Sequence, residues 1–315
     1  MAGLQLSIVT TLYNSAPTIG EFVRRAVAAA EAVTDSFEIV VVDDGSPDDS
    51  LSIVLALLPH ESRLKIVELS RNFGHHRALM TGLMHASGAY CFLIDSDLEE
   101  APELLSEFWQ RLHASGMDVV YGYQVERGGD FHKRVLGRLA WAIFDALVPY
   151  RIPRNHITAR LMRRAYVDAL VLHKEQNTVI GGLWVITGFR QIGMAVNKTV
   201  RPYATYSFVH RWRSLIESVT SFSELPLIGI FYLGLSISAL SSVAAILLIV
   251  LRLLGRIGLA GWASVMVSLW LIGGMLIFCV GIIGIYVSRI FIETKHRPYT
   301  IVRNVHGRAV GERVS

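Results

Sequence analysis

Ala89-Tyr90-Cys91-Phe92-Leu93-Ile94-Asp95-Ser96-Asp97-Leu98-Glu99-Glu100 decides how this chain is read. Its first half is a short apolar run with strand character, and its second half sets carboxylates at the mouth of that strand. Carboxylates at 95 and 97, on an extended exit, can turn toward one hard cation. Mg²⁺ or Mn²⁺ held by one or two carboxylates and completed by substrate phosphates is the usual arrangement. A second acidic strand end, Val40-Val41-Val42-Asp43-Asp44-Gly45-Ser46, lies earlier in the chain. Two such ends on neighbouring strands of one sheet point to a nucleotide-diphosphate site. Asp and Ser also cap helices, which by itself explains many strand exits.

Outward from these runs, apolar strand-like segments at 6–12, 37–42, 64–69, 89–94 and 118–121 alternate with helix-period segments at 19–32, 49–58, 75–86 and 102–114. Thr18 followed by Glu21, with Pro17 just ahead, has the spacing of a capping box. Pro102 opens the fourth helix, where its missing N–H costs nothing. This alternation predicts an α/β fold with a doubly wound, mainly parallel sheet, whose ligands bind outside the carboxyl ends of the strands. Both acidic runs lie there. Neither a GxGxxG turn nor a GxxxxGK[ST] loop is present, which disfavours a dinucleotide enzyme or a P-loop NTPase.

The 315 residues are 52% hydrophobic and only 18% charged, with mean hydropathy +0.43. The apolar surplus sits almost wholly after residue 220, so a soluble domain is followed by a membrane segment. Net charge is +4 and the pI near 9.1; Arg and Lys gather beside the membrane segment, which fits an anionic lipid surface better than nucleic acid. Cys91 and Cys279 have no disulfide or zinc spacing. The N-terminus enters a strand without a signal-peptide pattern, so the soluble domain is expected in the cytosol.

Residues 125–160 read as a basic, glycine-containing loop running into an apolar helix. Residues 206–222, with Arg211 and Arg213 beside Phe208, Trp212, Leu215 and Ile216, read as an amphipathic helix lying in the membrane interface. Residues 227–251 carry no charge, enough for ~37 Å of helix against a hydrocarbon core of ~30 Å. Residues 262–287 are similar, and the two form a hairpin closed by 252–261. Basic flanks (Arg201, Arg211, Arg213; Arg289, Lys295, Arg297, Arg303) outweigh the loop's Arg252 and Arg256, which puts both termini in the cytoplasm of a bacterial inner membrane. The expected domains are 1–200, 201–225, 226–288 and 289–315. Small residues in the hairpin (Gly273-Gly274, Gly281, Gly284) permit close helix contact, including contact between copies in a homo-oligomer.

A soluble nucleotide-diphosphate site on a membrane hairpin points to transfer from a water-soluble donor to a lipid. The run of motifs then resembles a known family: Thr11-Leu-Tyr-Asn14, Val41-Val-Asp-Asp-Gly-Ser-Pro47, Ser70-Arg-Asn-Phe-Gly74, Asp95-Ser-Asp-Leu98, Thr187-Gly-Phe189, Ser221-Phe-Ser223 and Arg297-Pro-Tyr299. In this order they resemble the family 2 glycosyltransferases of GT-A fold, in the group containing dolichol-phosphate mannosyltransferase and bactoprenol-phosphate glucosyltransferases. The resemblance implies that Thr11, Tyr13, Val42, Asp44 and Asp95 bind the nucleotide sugar and that Asp97 and Glu99 hold Mg²⁺ or Mn²⁺. It places Arg160, in Thr158-Ala-Arg-Leu161, at the arginine of the family's Asp-Phe-Arg-Leu run, and Arg201 at a basic residue suited to phosphate. With Arg127 and Lys133, these arginines are the candidates to hold a polyprenyl phosphate. Asp95, Asp97 and Arg160 form the expected catalytic set.

The chain departs from the family pattern at Thr11 and Ser15 (usually Pro and Glu), at Gln124 (usually Arg, with Arg127 as substitute), at Glu99 (usually Gln) and at Thr158-Ala159. The lysine usual after Arg201 is missing from Tyr203-Ala-Thr-Tyr-Ser207. The expected reaction is single displacement with inversion. A phosphate with a second pKa of ~6 is ionised at neutral pH and needs no strong base, which makes Asp95 an orienter. Rival readings are a same-fold transferase acting on a glycan or glycolipid, whose Gln-x-x-Arg-Trp run is matched here only by Phe208-Val-His-Arg211-Trp212, and an inactive membrane scaffold. His75 and His76 open a helix on diverging faces and read as structural. Trp184 reads as core or pocket wall.

Overall fold

The computed structural model describes residues 4–124, 153, 155–176, 180–196, 223–254 and 261–307. They fall into two compact units. The first is an α/β unit: β1 (Leu6–Leu12), α1 (Ile19–Glu31), β2 (Phe37–Asp43), α2 (Ser50–Leu57), β3 (Leu64–Leu69), α3 (His75–His85), β4 (Tyr90–Leu93), α4 (Leu104–Ser115), β5 (Val119–Tyr123), β6 (His156–Arg163), α5 (Arg164–Leu170), α6 (Ile180–Ile186) and β7 (Gln191–Ala195). It is completed by β8 (Val302–Gly307). One sheet runs β7-β5-β6-β4-β1-β2-β3-β8.

The centre of the sheet is parallel, with β1 between β2 and β4. Its strands are buried on both faces and read as unbroken apolar runs, as parallel strands covered by helices do. On one face Ile8, Ile39, Val41, Ile66 and Phe92 pack under Phe22, Val23, Leu105 and Phe108 of α1 and α4. Phe92 and Phe108 meet edge-on at 5.7 Å, an arrangement adding about 0.5–1.5 kcal/mol beyond area burial. On the other face α3 lies on β1 and β2. Gly82 allows this approach, because a Cβ there would stand 2.5 Å from Val9 Cγ1 and 3.0 Å from Val42 Cγ2. The chain passes from β1 outward to β2 and β3, then crosses back through α3 to β4. The gap above β1 and β4 is therefore the switch point where such sheets bind ligands.

Several local expectations need correction. The capping box is not made: Thr18 has helical backbone angles and its hydroxyl donates to Ser15 O at 3.2 Å, while Glu21 is tied to Arg24 at 2.6 Å. The fourth helix begins at Leu104, with Pro102 in the preceding turn accepting from Leu105 N–H. The sheet also gains three strands that patterning did not delimit. β6 is antiparallel to β4 and β5, β7 pairs with β5, and β8 runs antiparallel along β3. Residues 302–307, within the expected C-terminal tail, thus form an edge strand of this sheet. In it Arg303, which also counts among the expected basic flanks, donates to Glu68 Oε1 at 3.1 Å, beside Asn304 at 3.0 Å and His306 at 3.1 Å from Oε2.

The second unit contains α7 (Leu225–Leu253) and α8 (Trp262–Thr294), of 29 and 33 residues. Large apolar side chains face outward, among them Leu240, Phe278 and Ile277. Among the described residues, Leu271–Thr294, with mean hydropathy 2.3, is the one segment long and apolar enough to cross a membrane. The Tyr286 hydroxyl donates to Ser223 O at 2.8 Å. The expected interfacial helix at 206–222 and most of the hairpin loop lie outside the described residues, as do Arg127, Lys133, Arg201, Arg211 and Arg213.

Candidate active site

The carboxyl ends of β1, β2 and β4 bring Thr11, Tyr13, Asp43, Asp44, Asp95 and Asp97 to one rim of the sheet. The register aligns Thr11 with Val42 and Leu12 with Asp43. Tyr13 is 51% exposed just past β1, free to offer its ring face to a base. Val42 is fully buried beneath α3.

Asp44 is also buried, and its carboxylate accepts Phe73 N–H at 2.7 Å and Gly74 N–H at 3.0 Å. Burial raises its pKa, and these two donors oppose the rise. The residue thereby fixes the Ser70-Arg-Asn-Phe-Gly74 loop against the β2 exit. Gly45 makes the contact close: its φ is +64°, and a Cβ would stand 2.6 Å from Asn72 N. Beside it, Asp43 accepts Ser46 N–H at 3.2 Å, and burial pushes its carboxyl up to about 6. Asp48 gathers the loops after β1 and β2, accepting from Ala16 N–H at 3.0 Å, Ser46 at 2.9 Å and Ser50 at 2.5 Å. Burial raises it, but these donors outweigh that and hold it at about 2.

At the β4 exit, Asp95 Oδ1 is buried and accepts no hydrogen bond from any of the described residues, but it lies 3.4 Å from His75 Nε2. The other ring nitrogen of His75 is 3.2 Å from Thr11 Oγ1. His75 therefore does not serve merely as a helix opener: α3 delivers it between two site residues. The sequence held a signal for this, since His75 follows Gly74 directly at the strand-to-helix turn facing the rim. Asp97 Oδ1 accepts Glu99 N–H at 2.9 Å, shaping a turn in which Leu98 has φ 62°. Glu99 is 5% exposed, and Glu100, fully buried, accepts Ala159 N–H at 2.9 Å and so ties the turn to β6. Among the described residues no three His, Cys, Asp or Glu side chains converge into a metal cage. The hard carboxylate oxygens of Asp97 and Glu99, on the two sides of this turn, fit a cation that takes its remaining ligands from a diphosphate.

Arg160 reaches the same rim from β6, opposite Leu93 of β4 and Tyr121 of β5. It is 1% exposed, its guanidinium lies over the Trp184 ring, and among the described residues no carboxylate stands within ion-pair distance. Burial lowers its pKa to about 9, although Tyr166, Glu100 and Tyr121 pull it back up. Tyr121, His156, Trp184 and Gln191 line a small pocket with it. Trp184, expected as core or pocket wall, is both.

This arrangement agrees with what the chain resembles. The family description "Glycosyl transferase family 2" matches residues 7–171. The chain belongs to glycosyl transferase family 2. A Mycobacterium tuberculosis protein provisionally named a glycosyltransferase is 49% identical over 96% of this chain and 89% of its own. A Synechocystis sp. glycosyltransferase, described as uncharacterized, is 31% identical over 96% of both chains. The bactoprenol glucosyl transferase of Shigella phage SfV is 29% identical over 96% of this chain and 99% of its own. Among solved structures, Staphylococcus aureus TarS gives a TM-score of 0.45 at 20% identity, over 69% of this chain and 64% of that one, and does not bear on the site. Family membership makes this chain a transferase with a nucleotide-sugar donor and a GT-A-like α/β fold.

Proposed function

We propose that this family 2 enzyme moves a sugar, with inversion, from a nucleotide-diphosphate sugar to a polyprenyl phosphate at the cytosolic face of a bacterial inner membrane. The observation that carries the reading is Arg160. A buried guanidinium without a carboxylate partner is costly, and an incoming phosphate is the partner that would offset the cost. The likeness to bactoprenol glucosyl transferases over nearly the whole chain supports the same acceptor.

The fold also supports a membrane hairpin. β8 belongs to the same sheet as β1–β7, so the chain leaves the sheet unit after β7 and returns to it after α8. A segment that starts and ends on one side of a bilayer crosses it an even number of times. If Leu271–Thr294 spans, α7 is the partner span, its 29 residues covering ~43 Å against a core of ~30 Å.

In the reaction, Tyr13 and Thr11 contact the nucleoside, and Asp44 sets the loop that walls it. Asp97, with Glu99, would hold Mg²⁺ or Mn²⁺, which when bound supplies positive charge to the leaving diphosphate. Asp95 orients the donor at C1. Arg160, joined by Arg127, Lys133 and Arg201, directs the acceptor phosphate, whose own charge makes it the nucleophile.

Purified full-length protein in nanodiscs, given Mn²⁺, undecaprenyl phosphate and a panel of UDP-, GDP- and dTDP-sugars, tests the reading. A lipid-linked monosaccharide is expected. Transfer only to a glycan or glycolipid, or no transfer at all, would overturn it.

A further inference from the structure

We propose that His75 is a positioning residue for Asp95, with its side chain acting as a strut between the ends of β1 and β4. Three observations carry this. His75 Nδ1 is 3.2 Å from Thr11 Oγ1, and Nε2 is 3.4 Å from Asp95 Oδ1. That oxygen is buried and has no hydrogen-bond partner among the described residues, so the approach of the imidazole is the polar contact the structure gives it. α3 is held down on β1 and β2 by the close approach at Gly82, so the helix that presents the imidazole is itself fixed.

The chemistry selects the protonation pattern. A bare Nε2 lone pair facing a carboxylate oxygen is repulsive, so Nε2 carries the hydrogen that faces Asp95. Nδ1 then accepts from the Thr11 hydroxyl, which can turn to donate. Charged and titratable neighbours are Asp95 at the β4 exit, Asp44 at the β2 exit, and His76, whose ring centroid is 5.8 Å away on the same helix. With Oδ1 held by His75, the other Asp95 oxygen is aimed at the rim where the donor diphosphate would lie. His75 itself is half exposed and so remains reachable from that rim. This inference rests on the transferase reading for its effect on rate, but not for its geometry.

Two measurements test it separately. Two-bond ¹H–¹⁵N spectra of full-length, ¹⁵N-histidine-labelled protein in detergent give the tautomer, with the His75 signal identified by its loss in His75→Gln. A protonated Nε2 that shifts in Asp95→Asn is expected; a bare Nε2, or a signal indifferent to Asp95→Asn, would overturn the strut. This readout needs no turnover, so silence in the transfer assay would defeat the polyprenyl reading while the strut still stood or fell by its spectrum. With the donor used by the wild type, His75→Ala is expected to lower kcat about 10- to 100-fold at nearly unchanged donor KM, the loss of one hydrogen bond to a charged group. His75→Gln, whose amide reaches the Nε2 position, is expected to recover most of it. Equal kcat in His75→Ala and wild type would remove the positioning role and leave the transferase reading intact.

Discussion

Replacing Arg160 with methionine is expected to make the protein more stable and far less active. The guanidinium is 1% exposed, and burial, which penalises the charged form, lowers its pKa from the ordinary arginine range to about 9. That drop corresponds to roughly 5 kcal/mol of cost in the folded state at neutral pH. Methionine keeps most of the volume and gives up the stacking on Trp184, worth about 1–2 kcal/mol. Exchanges of buried charge for well-packed apolar side chains gain about 1–4 kcal/mol, which for a unit of this size raises Tm by about 3–10 °C. The pH dependence has a definite sign. Once pH passes about 9 the folded protein has released a proton that the unfolded chain still holds, so wild-type stability recovers as pH rises further. The advantage of Arg160→Met is therefore steady below about pH 9 and narrows above it. Thermal unfolding of both proteins by intrinsic fluorescence, from pH 6 to about 10.5, measures the gap. A methionine variant that melts below wild type at neutral pH, or a gap that does not narrow above about pH 9, would refute the reasoning. Turnover of the variant with polyprenyl phosphate is expected to fall at least about 100-fold.

Asp97→Asn is expected to cut metal-dependent turnover at least about 100-fold with Tm within ~2 °C of wild type; turnover near wild type would remove Asp97 from the cation site. For Asp43, whose carboxyl is pushed up to about 6, the folded protein holds a proton that the unfolded chain loses at lower pH, so stability is lost as pH rises through about 6. Asp43→Asn is accordingly expected to raise Tm at pH 8 and to lose that advantage near pH 4, which parallel melts at the two pH values would check. Gly45→Ala places a Cβ 2.6 Å from Asn72 N at a φ of +64° and is expected to cost about 2–5 kcal/mol in urea unfolding.

The parallel core was legible because its strands are written as apolar runs between turn residues. The predicted strands at 6–12 and 64–69 coincide with β1 and β3, and the acidic exits fall at the rim as expected. What escaped were pairings between distant segments. β6 is written His156-Ile-Thr-Ala-Arg-Leu-Met-Arg163, with a buried arginine at its centre, and β8 as Val302-Arg-Asn-Val-His-Gly307. Neither carries the hydrophobic signature of a strand, because their places are set by neighbours and by partners such as Glu68. The same holds for His75. A local rule about adjacent helical side chains described how His75 and His76 diverge, but not that one of them would meet Asp95 from another strand.

β8 makes the helical unit an insertion within the sheet unit rather than an appendage to it. A ribosome releases β3 long before residues 302–307 exist, so throughout synthesis of α7 and α8 the flank of β3 has no neighbour. An open strand flank invites pairing with other nascent chains. Maturation of the catalytic half thus waits for the apolar helices to be delivered first, and a chain cut at residue 296 would emerge with an unsealed sheet.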